Sequence, residues 1–520
     1  MSNLKAVSPG DELPHTARDW NEHCIDSRVS RPTIPFAMNR TNALLTTTSL
    51  LFAGAAAALA APGHKPNIIL IVSDDLGYGE LGSYGQRLIA TPNLDRLAAE
   101  GVRFTRFYAG SPVCAPSRSV LLTGRHAGHT TVRGNSRVQN YAGQTLGAED
   151  RTIAALLQQG GYRTALIGKW GLGLADSSGA PWKQGFDEFF GFLNQTHAHN
   201  HFPDHLWRNQ EKVLLENDLV AVGDVPGVGY ATRPRQYAND LFFAEAGEFV
   251  ERNRRAPFFL LLALTIPHAN DERAAALGDG QEVPDYGQYA DKPWSNPQKG
   301  QAAMITRMDA GVGALLERLA ALGIDRNTVV LFTSDNGPHR AGGAGYHPDF
   351  FFSSGGLRGI KRDLTEGGIR VPCIVRWPAA APGGLVTAHV GHFCDLLATC
   401  ADLAGIVAPR GQDGVSFASV LRDEPTGVRK RANLYWEFYE GGFQQAVLLD
   451  ERWKAIRGRP GEEPFELYDL MNDPGERRNV ARDHPGLVGR CVGLMDESHV
   501  PNAFWRKPAD AHEREPARPK

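Results

Sequence analysis

Long apolar runs, closely paired cysteines and an excess of charge are all missing from this 520-residue chain. Its longest apolar stretch, residues 50–61, falls short of the ~20 residues a membrane span needs, so an integral membrane anchor is not expected. With 55 Lys and Arg against 58 Asp and Glu the formal net charge is −3, which gives no broad basic field for nucleic acid. The six cysteines (24, 114, 373, 394, 400 and 491) include no C-x-x-C pair, which argues against zinc ribbons and thioredoxin chemistry. No internal repeat is present, and the 57 glycines and 33 prolines follow no period. What is there is an ordinary globular balance of 42% hydrophobic and 22% charged residues. At ~100–200 residues per domain the length allows two to four domains, or one large α/β domain with an appendage.

The N-terminal segment reads as processing rather than fold. Arg40, the apolar stretch and Ala58-Leu59-Ala60 give the order of a signal peptide with an A-x-A cleavage site. Translation is therefore expected to begin at Met38, with residues 1–37 a misplaced start or a disordered extension and residues 38–60 a signal peptide. The competing reading is a disordered extension ahead of a core helix. Export to the periplasm or beyond would leave 520 − 60 = 460 residues and remove Cys24. The compartment would be oxidising, so disulfides among Cys373, Cys394, Cys400 and Cys491 become possible, with pairing unassigned.

Four continuous apolar, β-branched runs each end in a reactive residue. Residues 67–73 (NIILIVS) end at Asp74-Asp75, and 162–168 (YRTALIG) at Lys169. Residues 258–265 (FFLLLALT) end before Pro267-His268, and 329–334 (VVLFTS) at Asp335-Asn336. Such runs read as strands buried on both faces. Helical patterns lie between them at 92–100, 152–159 and 302–322. The expected fold is α/β, a large and mostly parallel sheet flanked by helices over residues 61–411. Short strands at hairpin spacing (433–439, 446–449, 452–457, 465–470) and a helix near 484–497 predict a small antiparallel α+β domain over 412–520. Ligands of open α/β sheets bind at the carboxyl ends of strands, where these reactive groups stand.

Adjacent Asp74 and Asp75 repel unless a cation lies between them. With Asp335 and Asn336 they make an all-oxygen donor set, which suits Ca²⁺, with Mg²⁺ second, over Zn²⁺. A lone DD or DN after a strand is more often a turn or a helix cap, so the two pairs together carry the reading. Residues 111–125 (SPVCAPSRSVLLTGR) put Cys114 at the start of a helix with Pro116 early, Arg118 one turn along and Gly124 as the stop. A helix N-terminus favours anions.

This stretch resembles the sulfatase signature C-x-P-S-R followed by L-T-G-R, here Cys114-Ala115-Pro116-Ser117-Arg118 and Leu122-Thr123-Gly124-Arg125. The resemblance continues through D-D-x-G-x-G at 74–79, Gly168-Lys169-Trp170, Pro267-His268 and T-S-D-N-G at 333–337. It extends through Leu357-Arg358-Gly359-Ile360-Lys361, residues 366–372 and the closing segment 466–480. It implies the alkaline-phosphatase/sulfatase-like fold and hydrolysis of sulfate esters. Cys114 would be converted by a formylglycine-generating or equivalent maturation enzyme to formylglycine, whose hydrated aldehyde is the nucleophile. Asp74, Asp75, Asp335, Asn336 and the modified Cys114 would bind Ca²⁺. Arg118, Lys169 and Lys361 would hold the sulfate, Asp335 would take the nucleophile's proton, and His268, with Lys361, would protonate the leaving alcohol.

One position departs from the pattern. The family commonly reads G-K-W-H-L-G, whereas this chain has Gly171 in place of the imidazole, which in the family assists aldehyde regeneration. The histidines of segment 196–209, at 197, 199, 201 and 205, offer a replacement, His199 first; otherwise they line the pocket or the surface. Segments 270–301 and 339–356 read as long substrate loops presenting Tyr286, Tyr289, Trp294, His339, Tyr346 and His347 to a sugar face or an aryl ring. A sulfated glycan or an aryl sulfate is the expected substrate, with Lys169, His199, His268 and Lys361 contacting it. Two rivals stay open: a phosphoester or phosphonate hydrolase on the same scaffold, and a glycan-binding pseudoenzyme with unmodified Cys114.

Overall fold

The four apolar runs form strands, and they lie side by side at the centre of one ten-stranded sheet in the computed structural model. The model describes residues 65–135, 143–427, 430–458 and 464–507. The reading of Met38, Arg40 and the signal peptide, and Cys24 with it, lies outside the described residues. In spatial order the strands are Leu385–His392, Val102–Tyr108, Arg370–Arg376, Thr328–Ser334, Asn67–Asp74, Phe258–Pro267, Arg163–Lys169, Glu188–Phe192, His205–Arg208 and Glu211–Leu214.

The five strands from Thr328–Ser334 to Glu188–Phe192 run parallel, so the carboxyl ends carrying Asp335, Asp74, His268 and Lys169 meet at one edge. The parallel sheet expected from the sequence holds at this centre. The whole sheet is mixed, because antiparallel strands adjoin the centre on both sides. Strand Arg370–Arg376 was obscured in the sequence by Pro372, which sits at a register irregularity where its missing N–H costs no ladder bond.

Helices cover both faces. One face packs Cys114–Thr123, Ile153–Gln159 and Asp395–Leu403 over Ile68, Leu70, Val72, Leu166 and Leu261. The other packs Pro92–Ala99, Ala238–Arg252 and the 26-residue helix Asn296–Ala321 over Ile69, Ile71, Leu260 and Leu262. Burying each such side chain is worth ~1.5–3 kcal/mol relative to leaving it exposed. The long helix starts six residues before the apolar pattern does, at a capping box in which Ser295 accepts from Gln298 N–H.

The C-terminal strands Asn433–Phe438, Gln444–Leu449, Trp453–Arg457 and Phe465–Asp469 form an antiparallel sheet, with helix Pro485–Ser498 packed on it through Cys491 and Met495. Its other face meets Tyr108, Val113, Leu364 and Ile369, and Trp436 Nε1 donates to the Ala109 carbonyl at 2.9 Å. The possible disulfides are not formed: Cys114, Cys373, Cys394, Cys400 and Cys491 are all buried free thiols. The expected aromatic loops also differ. Tyr289 stacks on Trp294, and Tyr289 and Tyr346 are buried. Their apolar area packs inward rather than facing a ligand.

Candidate active site

Asp74 closes its strand, and Asp75 follows at φ 67°, a left-handed conformation uncommon for a non-glycine residue. The turn brings Asp75 against the neighbouring strand end. Its N–H donates to Asp335 Oδ1 at 3.2 Å, and its Oδ1 accepts from Asn336 Nδ2 at 2.7 Å. Cys114 is the first residue of its helix, and its Sγ lies 3.2 Å from Asp74 Oδ1. Arg118, one turn further along, donates through Nε to Asp335 Oδ2 at 2.9 Å and through Nη1 to the Lys169 carbonyl at 3.2 Å. Lys169 Nζ donates to Asp74 Oδ2, and Lys361 Nζ to Asp75 Oδ2 at 2.8 Å. His268 Nε2 stands 3.6 Å from the same Asp75 oxygen.

Gly168 is what lets Lys169 arrive there. It has φ 111°, and a Cβ at this position would lie 1.9 Å from the Ala263 carbonyl oxygen. Only glycine lets the two strands approach so closely at their carboxyl ends.

The charges interlock. Burial alone would raise Asp74, but Lys169, Arg118 and Lys361 hold it well below the usual carboxylate range. Asp75 is likewise held down to about 2, with Lys361 overcoming burial. Burial and the Asp74 charge push Asp335 up to about 7 despite Arg118. Burial, with Asp74 beside it, raises the Cys114 thiol well above its ordinary value, so this buried thiol is no thiolate nucleophile. Burial and Lys361 hold His268 down to about 3.

The residues fit a hard cation. Asn336 Oδ1 is a buried oxygen with no hydrogen-bond partner, the kind of orphan that a metal satisfies. Three buried carboxylates converge beside it, and Asp74, Asp75, Cys114 and His268 offer ligand atoms within 4.8 Å of one another.

The group opens onto a cleft of about 440 Å³ lined by Cys114, His199, His268 and Lys361 together with Asn135, Gln144, Gln195, Thr196, Asp271, Arg362, Glu440 and Gly441. The candidate catalytic and metal-ligating residues are thus brought to one place, whereas Tyr286, Tyr289, Trp294, His339, Tyr346 and His347, expected to face the substrate, are not in the lining of this cleft. Of the four clustered histidines only His199 lines this cleft, its ring stacked 4.8 Å from that of His268. His201 is tied to the His268 carbonyl at 2.8 Å, and His197 packs on His205 with ring centroids 4.5 Å apart. The sequence reading missed the amide wall and Asp271, whose Oδ1 is buried without a partner. Asp271 stands three residues past His268, a signal that was available. Glu440 comes from the distant C-terminal sheet, and nothing local announces it.

Comparison with known proteins agrees with this geometry. The sulfatase family profile matches residues 66–406, and that of the N-sulphoglucosamine sulphohydrolase C-terminal region matches 360–486. The chain is 32% identical to mouse (Mus musculus) steryl-sulfatase over 82% of this chain and 80% of that protein. It is 34% identical to dog (Canis lupus familiaris) N-acetylgalactosamine-6-sulfatase over 82% and 84%. The crystal structure of Ps i-CgsB superposes with TM-score 0.69 at 28% identity, covering 86% of this chain and 96% of that one. The same protein in complex with k-i-k-neocarrahexaose gives TM-score 0.67 with the same identity and coverage. The chain belongs to the sulfatase family and is a sulfuric ester hydrolase.

Proposed function

We propose that the chain hydrolyses the sulfate ester of a carbohydrate through a formylglycine formed from Cys114, with Ca²⁺ bound by Asp74, Asp75, Asp335, Asn336 and residue 114. The observation that carries this is the contact of Cys114 Sγ with Asp74 Oδ1 at 3.2 Å, inside a ring of Arg118, Lys169, Lys361 and His268. The formylglycine, once formed from Cys114, would supply the nucleophile, and a cation held by these residues would neutralise the carboxylates and the ester's negative charge.

The chain's own residues do the rest. Lys169 and Lys361, raised against burial by the carboxylates they face, stay charged and hold the anionic ester. Arg118 fixes Asp335 with two nitrogens at 2.9 Å and so aims its carboxylate, the base for the nucleophile's proton. His268 keeps its Nδ1–H on the Ala269 carbonyl at 2.6 Å, which leaves Nε2 facing the site as the atom that takes up and gives a proton. An anion brought beside this imidazole raises its pKa, which suits it to protonate the leaving alcohol with Lys361 alongside. His199 contacts substrate from the cleft wall.

The lining supports a sugar over an aryl group: amides, carboxylates and cations surround the mouth, and among the described residues the rings in it are imidazoles. Two of the relatives' names point the same way, an N-acetylgalactosamine-6-sulfatase and a protein solved with a neocarrahexaose, while the steryl-sulfatase names a different ester. We further propose a catalytic domain over 61–411, a smaller domain over 412–520, and export to the periplasm or beyond.

The test is turnover of a panel of sulfated mono- and oligosaccharides, aryl sulfates and matching phosphate esters by protein from a host able to mature it. Preference for a sulfated sugar, with loss of ~10²-fold or more in kcat/KM on Lys361→Met, supports the reading. Preference for the phosphate esters contradicts it.

A further inference from the structure

Gly171 leaves a space just past the carboxyl end of its strand, and Gln195 fills it. A Cβ built at Gly171, where φ is 74°, would lie 2.4 Å from Gln195 Oε1. The two positions come together because they follow neighbouring parallel strands. Lys169 ends one strand and pairs with Phe192 at the end of the next, and Gly171 N–H donates to the Leu193 carbonyl at 3.2 Å. Gln144 closes the same corner, with Nε2 donating to the Gly171 carbonyl at 2.8 Å. Gln195 is 8% exposed. Its Oε1 is buried without a hydrogen-bond partner, and the residue lines the cleft that holds Cys114 and His268.

A buried amide oxygen left unpaired costs free energy that a ligand can return. We infer that Gln195, rather than His199, takes the place of the imidazole missing at Gly171 and hydrogen-bonds the sulfated sugar, its Oε1 accepting from a substrate hydroxyl. The inference rests on the sulfatase reading and deepens it. A carboxamide donates and accepts but does not exchange a proton near neutral pH. Gln195 therefore binds and orients the ester, and proton traffic stays with Asp335, His268 and Lys361. His199 has partners of its own on the cleft wall: its ring stacks on His268, and its Nδ1 lies 3.3 Å from Glu272 Oε2.

The experiment has two arms. In the first, Gln195→Ala is assayed on the preferred sulfate ester across pH, beside His199→Ala. A loss of ~10-fold in kcat/KM at every pH, with the profile's shape kept, is expected for a lost hydrogen bond to the substrate. A wild-type kcat/KM, or a profile whose limbs move, overturns the inference. In the second, Cys114→Ala protein, which needs no maturation, is titrated by calorimetry with the sulfated sugar preferred in the panel, with and without Gln195→Ala. Weaker binding without Gln195 is expected, and equal binding overturns the inference.

The thermal midpoint of Gln195→Ala guards against a folding artefact. A midpoint matching wild type with the ~10-fold loss of kcat/KM is expected, and a loss that only follows a lowered midpoint overturns the inference. A wild type inactive on every sulfate ester sinks the sulfatase reading. An active wild type indifferent to Gln195→Ala sinks only this inference.

Discussion

Replacing Lys454 by Met should loosen the active-site edge from some distance. Lys454 is fully buried in the C-terminal sheet, with Nζ 3.0 Å from Glu366 Oε1 and 3.1 Å from Glu476 Oε1. Glu366 N–H donates to Glu476 Oε2 at 2.7 Å, and Glu366 begins the turn whose Gly368 carbonyl accepts from Gly337 N–H at 3.0 Å, next to Asn336. One ammonium thus holds two buried carboxylates together and pins the segment carrying Asn336. Breaking a buried ion pair by removing one partner costs ~3–5 kcal/mol, which for a chain of this size lowers the apparent thermal midpoint on the order of 5 °C. The penalty depends on pH. Burial and the Glu366 charge, against Lys454, push Glu476 up to about 7 from an ordinary 4.5. A carboxyl with a raised folded pKa contributes its stability in full below the unfolded value and loses it as pH rises through the folded one. Without Lys454 the Glu476 carboxyl is raised further, so at pH 8 the variant must either hold two charged carboxylates together or keep Glu476 protonated against the medium, while at pH 6 Glu476 is protonated without that cost. Thermal unfolding should show a larger deficit at pH 8 than at pH 6, partly repaired by adding Glu476→Gln. A midpoint within about 1 °C of wild type at both pH values, or a larger deficit at pH 6, would refute the reasoning.

Three further outcomes are expected. Exhaustive chelation should abolish turnover and lower the thermal midpoint, with Ca²⁺ restoring both better than Mg²⁺; unchanged activity in chelator argues against the metal. Burial holds His126 down to about 4 and His197 down to about 3, from an ordinary 6.5. Each is therefore neutral in the fold, and its contribution is complete above pH 6.5 and is lost as pH falls toward those values. Midpoints measured from pH 7 to pH 4 should fall, less steeply in His197→Gln, and parallel curves would contradict this. Gly168→Ala drives a methyl to 1.9 Å from the Ala263 oxygen at φ 111°. It should yield little soluble protein, and a well-folded variant with full activity would show that the strand ends tolerate separation.

The centre of the molecule was readable in the sequence because its signals are local. Buried parallel strands are continuous apolar runs, and each of the four ends in the side chain that its strand end positions. Cys114 and Arg118 were readable because they lie one turn apart at a helix start. The strand Arg370–Arg376 was hidden by Pro372, whose meaning depends on a bulge in a partner strand. The aromatic residues of segment 270–301 looked like substrate contacts because polarity and exposure correlate in loops. Tyr289 instead turns its hydroxyl inward, accepting from Ala90 N–H at 2.9 Å and pairing with Thr306 Oγ1 at 2.8 Å. The possible disulfides depended on spatial pairing that spacing cannot supply. Gln195 was invisible because its role follows from an absence at Gly171, and that absence acquires meaning only once two strand ends are seen side by side.

The central claim is that Cys114 is the precursor of the nucleophile, and the mass of the peptide that contains it tests this most directly. Protein from a maturing host should show a loss of ~18 Da at residue 114, with sulfate-ester turnover proportional to the converted fraction. An unmodified thiol in protein that still turns over sulfate esters at full rate would contradict the account.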